Sequence, residues 1–220
     1  MNRSGPGMSA IFDLDREAEE LYDRDGRRFD VITRTWTYVR SSEKSADCEA
    51  VDMLGAATWL MRESGHPLRV PIGVIGPREA TGAQMKGALR VGELLADCGF
   101  VVICGGRDGV MQAVCEGVAR VGGVSVGLLP GGDASEANPF VRVALATGMG
   151  EARNALIARA AFALIAIGTS FGTLSEVALG RQFGKVVVGI EGAADVDGVI
   201  GVDTPEAAVA RVAAAVLGVV

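Results

Sequence analysis

The sequence has one histidine and four cysteines, and this scarcity argues against several kinds of site. His66 lies in the turn-like segment Gly65-His66-Pro67, so a Ser-His-Asp catalytic triad is not expected. The cysteines lack the CxxC or other spacing of metal ligands, and three of them lie in apolar segments: Cys48, Cys98, Cys104 and Cys115. We therefore predict no metal site, and free thiols in a reducing cytoplasm.

The chain also lacks long hydrophobic runs and an excess of basic residues. No apolar stretch is long enough to cross a bilayer, and no hydrophobic signal core is found at the N-terminus. The formal net charge of −6 argues against binding to nucleic acid or to an anionic membrane. It also disfavours a purely structural or DNA-handling role, and it means that any anionic ligand must be held by local donors.

Two common nucleotide-binding motifs are missing. The segment Gly105-Gly106-x-x-Gly109 is not the G-x-G-x-x-G fingerprint, and no acidic residue ends the next strand, so a nicotinamide cofactor is not expected. Residues 180–185 resemble a Walker A loop, but the spacing is short and Val186 replaces the hydroxyl residue. ATP hydrolysis by that route is therefore not expected either.

What the sequence does contain is a regular alternation of strand-like and helix-like segments after Arg69. With 49% apolar residues in 220, the chain can bury a sizeable core. Continuous apolar runs joined by helices indicate a parallel sheet with helices on both faces, which is a doubly wound, Rossmann-like α/β fold at residues 69–220. The predicted strands lie at residues 70–75, 100–104, 124–129, 141–146, 162–167 and 186–190.

Residues 1–68 are predicted to form a small appendage made of a hairpin and a helix. Asp25-Gly26 is a typical hairpin turn, and a helical pattern runs from about Ala46 to Glu63. Met1 to Gly7 is expected to be a disordered lead.

The segment from Gly168 to Glu176 has the features of an anion site. It follows an apolar strand, contains small residues, and is followed by a helical pattern from Leu174 to Gly184, in whose first turn Glu176 is expected. Taken alone, an ordinary helix cap explains the segment equally well. The glycine-rich segment Gly105–Gly109 has the same placement, and both loops are expected at the carboxyl edge of the sheet, where such folds bind ligands. This favours a phosphate site.

Arg153 follows the fourth predicted strand and can bind a phosphate through two hydrogen bonds. The alternative is a surface arginine paired with Glu151 or another neighbour. We predict a ligand-binding set at this edge composed of Gly76, Pro77, Arg78, Gly105, Gly106, Gly109, Val110, Met149, Arg153, Asn154, Gly168, Thr169, Ser170, Phe171, Gly172 and Thr173.

Three spaced motifs resemble the group that contains the LONELY GUY proteins and the molybdenum-cofactor carriers, often labelled "lysine decarboxylase-like". They are Gly-Gly-x-x-Gly-x-Met at 105–111, Gly-Met-Gly-x-x-Arg-Asn at 148–154 and Gly-Thr-x-x-Glu at 172–176. The resemblance covers about Val70 to Ile190. It implies a Rossmann-like homo-oligomer, a dimer or tetramer, that binds a small phosphorylated ligand such as a nucleoside monophosphate or the molybdenum cofactor. No further cofactor is required.

The resemblance leaves two functions open. In the hydrolase branch, which releases the base from nucleoside 5′-monophosphates, the catalytic roles would fall on Arg153 and Glu176. That branch has Pro-Gly-Gly where this chain has residues 168–170, and Arg-Lys where it has Arg153-Asn154. The motif at 148–154 is more similar to the carrier branch. The decarboxylase label has no support, because no lysine lies in a recognisable pyridoxal-phosphate context.

Overall fold

The computed structural model describes residues 12–40, 47–66 and 69–219. They form two compact units, one containing the described residues up to 66 together with residues 213–219, and one containing residues 69–212. The expected lead, residues 1–7, lies outside the described residues.

The first unit contains a five-stranded antiparallel sheet and one helix. The strand order is β4-β3-β2-β1-β5. The elements are β1 (Phe12–Asp15), β2 (Glu20–Tyr22), β3 (Arg27–Asp30), β4 (Thr35–Tyr38), β5 (Glu49–Val51) and α1 (Met53–Arg62). The predicted hairpin is confirmed, since β2 pairs with β3 across a turn in which Gly26 has a φ of 75°.

The predicted helix from residue 46 to residue 63 is wrong at its start. Residues 49–51 pair with β1 as a strand, and the Asp52 side chain then caps the helix by accepting the N–H of Gly55 at 2.8 Å. Trp36 packs within the same unit. Its ring centroid lies 5.7 Å from Phe12 and 5.0 Å from Phe29, and its Nε1 donates to the Leu217 carbonyl at 2.6 Å.

The second unit is built around a seven-stranded parallel sheet, which confirms the predicted fold class. The strand order is β12-β11-β10-β6-β7-β8-β9. The strands are β6 (Pro71–Ile75), β7 (Val101–Cys104), β8 (Ser125–Leu129), β9 (Val143–Ala146), β10 (Ala163–Ile167), β11 (Val186–Ile190) and β12 (Ile200–Gly201). The helices are α2 (Gly82–Asp97), α3 (Val110–Arg120), α4 (Arg153–Ala160), α5 (Phe171–Gln182) and α6 (Pro205–Val216), whose last residues belong to the first unit.

The helices pack in pairs on the two faces of this sheet. α2 packs against α3, and α4 packs against α5. The chain moves outward from β6 through β7, β8 and β9, and then returns to β10 on the other side of β6. The carboxyl ends of β6 and β10 therefore flank the point at which the strand order reverses, where doubly wound folds bind their ligands.

Two glycines set the close approach of α2 to α3. A Cβ added to Gly92 would lie 2.3 Å from the Val114 carbonyl oxygen, and one added to Gly117 would lie 2.0 Å from the Leu89 carbonyl oxygen. Both neighbours are backbone atoms, which cannot rotate away. The two helices can therefore pack at this distance only if both positions are glycine.

Gly117→Ala is accordingly expected to lower the free energy of unfolding by about 2–3 kcal/mol, because the helices must separate to admit the methyl group. Chemical denaturation measures the change. The matched control is Gly82→Ala at the first position of α2, where an added Cβ would meet nothing within 4 Å. The control is expected to be neutral or slightly stabilising. An equal loss of stability in both variants would contradict this account of the helix crossing.

Within the described ranges, no helix is long and apolar enough to cross a membrane. The same part of the chain holds no cluster of three or more His, Cys, Asp or Glu side chains placed to bind a metal ion.

Candidate functional site

A cavity of about 440 Å³ opens at the carboxyl edge of the parallel sheet. It is enclosed by the loop after β6, the end of β7 with the start of α3, the start of α4, and the loop from β10 into α5. Its lining residues are Ile75, Gly76, Pro77, Arg78, Glu79, Gly105, Met111, Glu151, Arg153, Asn154, Thr169, Ser170, Gly172, Thr173 and Glu176.

The N-terminus of α5 forms one wall of the cavity. Ser170 caps the helix, because its Oγ accepts the N–H of Thr173 at 3.1 Å and lies 2.9 Å from the Thr173 Oγ1. The first N–H groups of a helix have no intrahelical partner, and the helix dipole places partial positive charge there. This wall is therefore suited to an anion.

Because Ser170 is the cap, α5 begins at Phe171, three residues before the predicted start. The expectation that Glu176 lies in the first turn is wrong for this reason. Glu176 lies in the second turn and is only 6% exposed. Its carboxyl group is therefore a buried group of the cavity wall and not a solvated partner of the helix dipole.

Arg153 and Glu176 form a buried pair of opposite charge. Arg153 is 5% exposed, so the alternative of a surface arginine is wrong. One of its terminal nitrogens lies 3.6 Å from the Glu176 Oε1, which is longer than a hydrogen bond. No group among the described residues hydrogen-bonds the buried Nε of Arg153. A buried guanidinium N–H without a partner is costly, and the residue lines the cavity, where a charged planar donor is suited to an anion.

Burial changes the acidity of both members of the pair. It raises the pKa of Glu176 to about 7, although the charge of Arg153 opposes the rise and the charge of Glu151 adds to it. Burial also lowers the pKa of Arg153, against the opposing effect of Glu176. Glu176 can thus exchange a proton near neutral pH, as a general acid or base must.

Gly105 provides the space for the Arg153 side chain. A Cβ added to Gly105 would lie 2.5 Å from each of the two terminal guanidinium nitrogens. Gly109 holds the neighbouring turn, with a φ of 65° and with the Arg78 carbonyl oxygen 2.1 Å from an added Cβ. Val110 then donates its N–H to the Pro77 carbonyl at 3.1 Å, which ties the loop after β6 to the start of α3.

The structure brings most of the predicted residues to the cavity and leaves others outside its lining. Gly106, Gly109 and Gly168 lie in turns next to the cavity and Val110 begins α3, and the lining contains none of the four. Met149 and Phe171 are 47% and 95% exposed, and neither lines the cavity. Phe171 instead borders an adjacent open depression of about 600 Å³ beside α4 and α5.

Four lining residues were missed from the sequence: Ile75, Glu79, Met111 and Glu151. Each lies in or next to a segment that was predicted to bind ligand. What the sequence pattern lacks is the direction of each side chain, which depends on how the loops turn after their strands. The sequence feature that could have identified Glu151 as a lining residue is its position two residues before Arg153.

Two of the cysteines lie next to the site. The Cys104 and Cys115 Sγ atoms are 3.5 Å apart, and the N–H of Gly106 donates to the Cys104 sulfur at 3.3 Å. Both thiols are buried and neither forms a disulfide; Cys98 is also buried, and Cys48 is half-buried. The hydrogen bond with Cys115 and burial raise the pKa of the Cys104 thiol, which is therefore neutral beside Arg153 at neutral pH.

The chain is similar in sequence to known proteins. The sequence model of the SLOG cluster4 family matches residues 69–215. An uncharacterised protein of Archaeoglobus fulgidus is 41% identical over 138 residues, which cover 63% of this chain and 91% of that protein.

Two solved structures are also similar. The molybdenum cofactor binding protein of Rippkaea orientalis is 31% identical with a TM-score of 0.63, over 67% of this chain and 97% of that one. The molybdenum cofactor carrier protein of Chlamydomonas reinhardtii is 30% identical with a TM-score of 0.63, over 67% of this chain and 98% of that one.

Proposed function

Because the chain belongs to the SLOG cluster4 family, we propose that it binds a phosphorylated nucleotide or pterin in the cavity at the carboxyl edge of its parallel sheet. The molybdenum cofactor is the ligand that the comparisons favour, since two similar structures belong to proteins described as binding or carrying it. In this proposal the protein is a carrier, and the cofactor is its cargo.

The observation that carries the proposal is the buried Arg153 guanidinium, whose Nε has no partner among the described residues, in a cavity walled by the N-terminus of α5. A phosphate group offers several acceptor oxygens to such a planar donor. The N–H groups of the first turn of α5 and the hydroxyls of Thr169 and Ser170 add neutral donors on the same wall. Arg78 supplies a second positive charge from the loop after β6.

In the carrier, Glu176 serves to position Arg153. Its carboxyl group lies 3.6 Å from the guanidinium and, when ionised, balances that charge in a buried place. An ionised carboxylate beside a phosphate would weaken binding, and the raised pKa of Glu176 lessens this conflict at neutral pH.

One alternative is a phosphoribohydrolase that releases the base from a nucleoside 5′-monophosphate. The observation in its favour is the same buried carboxyl group, which could stabilise an oxocarbenium-like ribose or activate water. Against it, Asn154, Thr169 and Ser170 stand where the hydrolase branch has other residues. The carrier is therefore the preferred function.

The two functions differ in turnover. We expect measurable binding of AMP, GMP, CMP or a cytokinin monophosphate, with little or no release of free base, because the residues that differ from the hydrolase branch lie in the cavity wall. Chromatographic detection of the free base measures this. Robust release that disappears in Glu176→Gln would establish the hydrolase and overturn the carrier.

The assembly into a dimer or tetramer, the cytoplasmic location, and the division into an appendage at 1–68 and a ligand-binding domain at 69–220 stay predictions. The proposed binding role requires no cofactor other than the bound ligand itself.

A further inference from the structure

We propose that binding of an anion at Arg153 is coupled to the uptake of one proton from solvent by Glu176. The inference rests on the proposed function, because it needs a phosphorylated ligand in the cavity. It concerns how the site responds to pH, and it would hold for any ligand whose phosphate reaches the guanidinium.

The geometry of the pair brings a bound anion close to a carboxyl group. Arg153 and Glu176 are both buried, they line the same cavity, and their closest atoms are 3.6 Å apart without a hydrogen bond. A phosphate that bonds to the guanidinium therefore comes close to the Glu176 carboxyl group. Two negative charges in a buried place repel strongly, and a proton on the carboxyl group removes one of them.

The other charged groups around the cavity act in the same direction or are balanced. Glu151, on the turn before α4, adds negative potential at Glu176 and favours its protonated form. Arg78 and Glu79, on the loop after β6, contribute one charge of each sign. Cys104, at the end of β7, lies near Arg153 and is neutral at neutral pH. Arg153 itself is the main group that favours the ionised carboxylate, and a bound phosphate would share its charge.

The proton is available at physiological pH. Burial raises the pKa of Glu176 to about 7, so both forms are populated in the free protein. A bound phosphate should raise this pKa further. The carboxyl group is then ionised in the free protein and protonated in the complex at a pH slightly above neutrality, which requires net proton uptake on binding.

The test is calorimetric titration of AMP into the full-length protein at pH 8, in two buffers that differ in ionisation enthalpy. AMP is already fully ionised there, so we expect the wild type to take up close to one proton per ligand bound. We expect Glu176→Gln, which cannot titrate, to take up none. The matched control is Glu116→Gln on α3, outside the cavity, where Glu116 pairs with Arg120 at 2.7 Å. The control should behave as the wild type does.

A second readout is the dissociation constant of the wild type divided by that of Glu176→Gln. Using the same ligand for both cancels the titration of AMP itself. The ratio is expected to rise about tenfold from pH 6 to pH 8, because the wild type must protonate a carboxylate whose free pKa is near 7.

The outcomes separate this inference from the proposed function. If the wild type binds AMP at pH 8 without proton uptake, and the ratio stays constant, the inference is overturned while the proposed function stands. The proton count of the wild type decides this even if the Gln variant does not fold. If the wild type binds none of AMP, a pterin phosphate and inorganic phosphate, the inference and the proposed function are overturned together.

Discussion

Arg153→Ala is expected to weaken the binding of a phosphorylated ligand by roughly tenfold to a hundredfold. A hydrogen bond to a charged group contributes about 1.5–3 kcal/mol, and about 1.4 kcal/mol corresponds to a factor of ten in affinity. The guanidinium is 5% exposed and provides the buried Nε that lacks a partner among the described residues.

Two further variants make this experiment specific. Arg153→Lys keeps the charge but not the planar fork, so its affinity should fall between those of the wild type and the alanine variant. Arg107→Ala removes an arginine that pairs with Glu136 at 2.8 Å and does not line the cavity, and it should bind as the wild type does. Titration calorimetry with AMP or a pterin phosphate measures all three. Unchanged affinity in a folded Arg153→Ala variant would contradict the role of Arg153.

The free energy of unfolding is expected to depend on pH through Glu176. Glu176 has a raised pKa of about 7 in the folded protein, and the unfolded chain restores its ordinary value of about 4.5. Between these values the folded protein binds more protons than the unfolded chain, so the free energy of unfolding falls as pH rises. A difference of this size corresponds to about 3 kcal/mol, which is lost by about pH 8.

Glu176→Gln removes this dependence, because glutamine stays neutral. We expect the variant to match the wild type near pH 4.5 and to lose about 3 kcal/mol less of its stability by pH 8. Urea denaturation at the two pH values measures the difference. Glu116→Gln, a control outside the cavity, should follow the wild type. If the wild type and Glu176→Gln lose the same free energy of unfolding between pH 4.5 and pH 8, Glu176 titrates near its ordinary pKa and the prediction is wrong.

The fold of the second unit follows largely from its sequence. Runs such as residues 163–167 and 186–190 are apolar throughout, and this pattern is typical of strands buried on both faces. Pro205 is the first residue of α6, a position where its fixed backbone angle fits a helix and its missing N–H costs no hydrogen bond. β12 was not predicted, because two residues carry no detectable hydrophobic run.

Two helix starts were predicted wrongly, one because of a long-range strand pairing and one because of a cap. Residues 49–51 fit the helical pattern, but they pair with β1, a partner that is remote in the sequence. At α5, the cap at Ser170 moved the helix start and placed Glu176 one turn deeper than expected.

The candidate site shows what a sequence motif can and cannot provide. The motifs placed Arg153, Glu176 and Gly105 at one edge of the sheet, because parallel strands bring their carboxyl ends together. They could not show that Gly105 makes room for the Arg153 guanidinium, or that Glu176 is buried at 3.6 Å from it. Those relations depend on side-chain packing between segments that are distant in the chain.

Gly172→Val tests the central claim most directly, because it fills the cavity without removing a charge. A Cβ at Gly172 would lie 3.8 Å from the Ser170 Oγ and 4.0 Å from the Asn154 Nδ2, so the fold should tolerate the side chain. Calorimetric titration of AMP and of a pterin phosphate is predicted to show one site per chain in the wild type. The same titration should show at least tenfold weaker binding in Gly172→Val and no change in the control Gly82→Val. Unchanged affinity in a folded Gly172→Val variant, or no binding of either ligand by the wild type, would contradict the account.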